Sequence, residues 1–68
     1  MLMYDSYEYS PFFEQMVRGK VYLGGTVDEP QFHVIPYCSK GHRLGLPSIH
    51  KTYLAAIRAV HVLYGLEE

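Results

Sequence analysis

One run, Ser48 to Gly65 (SIHKTYLAAIRAVHVLYG), constrains this chain more than any other stretch. Its apolar residues recur at helical spacing. At 100° per residue Ile49, Tyr53, Ala56, Ile57, Val60, Leu63 and Tyr64 share one face, the pattern of a helix laid on a core. Pro47 disfavours helix before Ser48, and the Ser48 hydroxyl suits an N-cap. Gly65 suits the left-handed C′ position, with Leu66 as the apolar C″ contact. The expectation is a long amphipathic helix of about 16 residues. Its outer side carries Lys51 and Arg58, but also Leu54, Ala55 and Val62, so a second contact surface is expected there.

The rest of the chain must cover that helix with little material. Sixty-eight residues allow one domain with a thin stability margin. Cys38 is the single cysteine, so no internal disulfide can help. A content of 49% hydrophobic and 19% charged residues fits a globular chain rather than a disordered one. No apolar run reaches membrane-spanning length. The start, MLMYDSYEYS, is acidic and tyrosine-rich, unlike a secretory signal. With a lone thiol, this makes the cytoplasm the expected location.

In chain order, residues 1–10 read as an extended or irregular arm whose Tyr4, Tyr7 and Tyr9 tie it to the domain or to a partner. Ser10 and Pro11 then predict a short N-terminal helix, with serine at the N-cap and proline at N1, carrying Phe12, Phe13, Met16 and Val17 on one face and ending at Gly19. Lys20 to Val27 reads as a first strand and Gln31 to Cys38 as a second. Ser39–His42 reads as a hairpin turn with Gly41 supplying positive φ, and Arg43–Leu46 as a short third strand. The expected fold is α+β. A short N-terminal helix precedes a small antiparallel three-stranded sheet, and the long C-terminal helix packs across one face. All of it forms a single domain (1–68), with the arm at 1–10 and the core at 11–66.

The run from Phe32 to Gly65 resembles in outline the sheet-plus-helix half of plant Apetala-type and phage integrase arm-binding domains. Leu44-Gly45, Ser48, Ala55-Ala56 and Gly65 carry the resemblance, which covers about half the chain. It implies a hairpin sheet backed by an alanine-rich helix and carries no function across.

Charge is segregated. Met1 to Glu29 holds five acids against Arg18 and Lys20, a net of −3. Pro30 to Leu66 holds no acid, only Lys40, Arg43, Lys51 and Arg58, with all four histidines. Such asymmetry marks an electrostatic surface. Catalytic signals are absent: there is no phosphate-loop motif and no paired carboxylates, and Cys38 with His33 or His42 lacks room for a third group and a cleft. His33, Cys38 and His42, with His50 as a fourth, lack the two close pairs of a structural zinc site. Neither an enzyme, a metal nor another cofactor is expected.

Two binding roles follow. The first is a non-catalytic protein-binding module, in character like the small phage proteins that inhibit larger host complexes, anti-CRISPR proteins among them. It would use Tyr4, Tyr7, Tyr9, Lys40, His42, Arg43, Lys51, Leu54, Arg58 and Val62. The second is a small DNA- or RNA-binding domain using Lys40, Arg43, Lys51 and Arg58, although a pI near 6.4 is low for one. A minor subunit of an assembly is a third reading. Self-association into a homodimer is expected from Leu54, Ala55 and Val62.

Overall fold

The computed structural model describes residues 1–66. It contains four strands and one helix: β1 (Leu2–Ser10), β2 (Gln15–Gly25), β3 (Pro30–Cys38), β4 (Ser48–His50) and α1 (Tyr53–Leu63). The strands form one antiparallel sheet in the order β1-β2-β3-β4. The helix lies on one face, over β2, β3 and β4.

Three expectations are corrected. There is no N-terminal helix. Ser10 does act as a cap, its Oγ accepting from Phe13 N–H at 3.3 Å, and Glu14 N–H donates to Ser10 O at 2.8 Å. The single turn stops at Glu14, whose φ of 56° is left-handed, and the chain reverses into β2. One turn costs more to nucleate than it returns. The alternation Val17, Gly19, Val21 against Arg18, Lys20, Tyr22 offers instead an eleven-residue strand paired on both sides. The arm is thereby a full strand, β1, with a register irregularity between Leu2 and Tyr4.

The third strand at Arg43–Leu46 is also absent. After a turn at Cys38–Gly41, with Gly41 at φ 90°, only the bridge Tyr37–Arg43 forms, and Leu44-Gly45 lies in a loop. The long helix is short, at eleven residues. Ser48 is not its cap but the first residue of β4, where Ser48 and His50 pair with Val34 and Phe32. Thr52 is the cap, its Oγ1 accepting from Ala55 N–H at 3.1 Å. The C-terminal expectation stands: Gly65 has φ 74°, Gly65 N–H donates to Val62 O and Leu66 N–H to His61 O, the paired bonds of a Schellman end.

The buried core is small: Val17, Val21, Val34, Ala56, Val60 and Tyr64. Ala56, Val60 and Tyr64 come from the expected helix face. Ile49 does not join them; it sits on β4 and is 58% exposed. Tyr64 anchors the layers. Its hydroxyl accepts from Gly19 N–H at 3.0 Å, donates to Val17 O at 3.1 Å and contacts Ser6 Oγ. Ser6 Oγ also reaches Gly19 O at 3.1 Å. Two hydroxyl protons thus serve one cluster joining β1, β2 and the last turn region of α1. Gly19 makes the approach feasible, since a Cβ there would lie 3.1 Å from both the Tyr64 oxygen and Val60 Cγ1.

Tyr64→Phe strands the buried Gly19 N–H, so it should lower unfolding free energy by about 1–3 kcal/mol. Gly19→Ala, which forces a crowded contact, should cost a similar amount, about 1–3 kcal/mol. Urea unfolding followed by circular dichroism measures both; an unchanged midpoint in either variant would contradict the packing described.

Candidate binding surface

Alternation along the strands sorts side chains between two faces. Tyr4, Ser6, Val17, Gly19, Val21, Phe32, Val34 and Pro36 fall on the helix side, consistent with their register and burial. Asp5, Tyr7, Tyr9, Met16, Arg18, Lys20, Tyr22, His33, Ile35 and Tyr37 fall on the other, which no helix covers. Ile49, beside His33, extends this open face onto β4.

The register gathers one row across the middle of that face. Tyr7 stands beside Arg18, Arg18 beside Tyr37, and Tyr37 beside Arg43. Bonds from Cys38 N–H to His42 O and from Leu44 N–H to Pro36 O flank the last pair, which makes it the narrow kind with close side chains. Aromatic and cationic groups therefore alternate over four neighbouring backbones. The Arg18 guanidinium lies 4.5 Å from the Tyr7 ring centroid, and Lys20 Nζ lies 5.5 Å from that of Tyr37. Both are within cation–π range, about 6 Å. Strand spacing puts the Tyr7 and Tyr37 backbones about 10 Å apart. Arg18, Lys20 and Arg43 against Asp5 leave the surroundings of the row positive in a chain of net charge −1, while Asp28, Glu29 and Lys51 gather around Gln31 and Ile49 at another part of the face.

The residues expected to form one surface lie on two. Tyr7, Tyr9 and Arg43 belong to the open sheet face. Tyr4 is on the helix side, partly buried against the core. Lys40 and His42 are exposed in the turn leading to Arg43. Lys51 lies just before α1, and Leu54 (60% exposed), Arg58 and Val62 (52% exposed) line the helix's solvent side, across the molecule from the row. Tyr37, expected to interleave with the basic residues of a nucleic-acid surface, stands in this row on β3. Arg18, Lys20 and Tyr22 are residues the sequence reading leaves out; their signal is the two-residue alternation of β2, visible once the strand is started at Gln15 rather than Lys20.

The histidines and Cys38 do not converge; among the described residues no three His, Cys, Asp or Glu side chains are placed to hold a metal ion. His50 Nε2 pairs with Ser48 Oγ at 2.9 Å. Cys38 Sγ accepts from His42 N–H at 3.3 Å. That bond, with smaller help from the Lys40 and Gly41 backbones, holds the thiol below its ordinary pKa, and desolvation opposes it. Among the described residues no helix is long and apolar enough to cross a membrane. No protein-family model, curated protein or solved structure matches the chain.

Because its folded-state value is depressed, the Cys38 thiolate persists to lower pH in the folded chain than in the unfolded one. The pH midpoint of iodoacetamide alkylation should therefore rise when the protein is unfolded in urea. A midpoint that stays put or falls would show that the His42 N–H does not stabilise the thiolate.

Proposed function

We propose that the chain is a non-catalytic binding module that takes single-stranded nucleic acid on the open face of its sheet. The row Tyr7–Arg18–Tyr37–Arg43 is the observation that carries this reading. Unpaired bases stack on aromatic rings and guanidinium planes, and the neighbouring cations neutralise the backbone. The rings are presented on a sheet, so little side-chain freedom is lost on binding. Stacking contributes about 1–3 kcal/mol per base and accepts any base. With Arg18, Lys20 and Arg43 as the cations in reach, affinity would be modest and salt-sensitive. A duplex keeps its bases paired and stacked, so they are not free to stack on these rings.

A protein partner is the second reading. Tyr, Met and Arg are enriched in the cores of protein interfaces, and Tyr7, Tyr9, Met16, Arg18, Tyr22 and Tyr37 meet on this face with Ile35 and Ile49. An inhibitor of a larger complex or a minor subunit would use it in the same way.

Fluorescence anisotropy with labelled eight-nucleotide oligouridine and oligothymidine separates the two. Binding should weaken by about 20-fold from 50 to 200 mM salt if three phosphates are neutralised. Tyr37→Ala should weaken it about fivefold or more, and Arg18→Ala should also flatten the salt dependence, while Arg58→Ala on the far side changes neither. No binding at about 50 mM salt, or equal loss in Arg58→Ala, would overturn the nucleic-acid reading and leave the protein partner.

A further inference from the structure

The two edges of the sheet are unlike. The β4 edge is three residues long, whereas β1 presents nine. Long edges are normally blunted by charged side chains, lysine above all, by proline, by a bulge or by a covering element. Within β1 there is neither lysine nor proline, its charges are Asp5 and Glu8 on opposite faces, and the one irregularity falls near its start, between Leu2 and Tyr4. From Tyr4 to Ser10 the strand is regular, and the helix packs over β2, β3 and β4 instead. Ser10 is fully buried at the hairpin turn, so the ladder edge left without a neighbour runs from Tyr4 to Tyr9.

We infer that this edge pairs with the same edge of a second copy, antiparallel and centred on Tyr7, to make one continuous eight-stranded sheet. Symmetry and charge select the register. Open face must meet open face, so odd positions oppose odd ones and even oppose even. A centre at Asp5 sets Asp5 against its twin, and a centre at Glu8 sets Glu8 against its twin; like charges directly opposite are destabilising. A centre at Ser6 or at Tyr7 pairs five residues of the free edge, Tyr4–Glu8 or Asp5–Tyr9. A centre at Tyr7 alone sets an aromatic ring against its twin, with Asp5 opposite Tyr9 and Ser6 opposite Glu8. No carboxylate directly opposes another.

This register also has a consequence on the open face. Tyr7 ends the row Arg43–Tyr37–Arg18–Tyr7, so its pairing across the twofold axis joins two rows into one of eight side chains. Facing aromatic residues stabilise antiparallel pairs. An isologous interface of this kind closes at two copies and uses up both long edges. The inference stands apart from what the open face binds: it needs only the edge and its charges.

Sedimentation equilibrium of the intact chain reads the first outcome, and twice the 7.9 kDa chain mass is expected. Cross-linking reads the register, in a Cys38→Ser background. Directly facing Cα atoms are about 4.5–5.5 Å apart, within disulfide reach. Tyr7→Cys should oxidise to a covalent dimer. Asp5→Cys alone should not, since the two positions stand about 14 Å apart along the strands. Mixed Asp5→Cys and Tyr9→Cys chains should cross-link to each other, which tests the register without altering Tyr7. A monomer mass for the intact chain overturns the inference. So does a dimer that cross-links through Val62→Cys on the helix, or one in which neither the Tyr7 pair nor the mixed pair forms a disulfide.

Discussion

The Tyr64 hydroxyl is the contact on which the arrangement depends. It stands just past the C-terminal end of α1 and reaches through a gap left by Gly19 to the backbone of β2 and the side chain of Ser6 on β1. Within the eleven-residue helix only Ala56 and Val60 are buried, and Ile57, Ala59 and Leu63 pack only partly buried against the core. Val60 and Ala56 supply apolar contact without direction; the hydroxyl cluster supplies direction. It also explains why Gly19 interrupts a strand that otherwise alternates well. The missing side chain is the space the tyrosine occupies.

Fixing the helix on that side determines what the other side can do. One short helix covers one face of a four-stranded sheet, and the chain has no further layer for the second face among the described residues. The open face is partly apolar and partly cationic, and its cations lie against aromatic rings. Such pairing keeps Arg18 and Lys20 extended along the sheet rather than free in solvent. The result is an uncovered sheet surface on which aromatic and cationic side chains stand next to one another. Charge segregation takes on a different meaning in this light. The acidic N-terminal half and the basic C-terminal half are interleaved by strand pairing, so that Asp5 lies beside Lys20, and the local balance on the open face, not the balance along the chain, is what a ligand meets.

Sequence signals are legible where local structure decides the outcome. The strand at Pro30–Cys38, the turn at Gly41, the stop at Gly65 and the inward face formed by Ala56, Val60 and Tyr64 all follow from short-range chemistry. The structure departs from those signals where distant pairing decides. Ser10 and Pro11 do begin a helical turn, and Ser10 does cap it, but the following residues gain more from pairing with β1 and β3 than from continuing it. Ser48 carries a cap's side chain, yet the open side of β3 claims residues 48–50 first, and Thr52 takes the role. The arm became a strand for the same reason: its tyrosines alternate with acids rather than with apolar residues, so it looks unburied until β2 is set beside it. The candidate surface was legible only in part. Tyr7, Tyr9 and Arg43 could be named, but their meeting with Arg18 and Tyr37 is a matter of register, which no single stretch encodes.

The central claim is that the helix-free face of the sheet is the working surface. Amide and ring chemical shifts followed by NMR during titration with an eight-nucleotide oligouridine test it most directly. The account predicts shifts concentrated at Tyr7, Arg18, Tyr37 and Arg43, with Leu54, Arg58 and Val62 unmoved. Shifts centred on the solvent side of α1, or none at any residue, would contradict it.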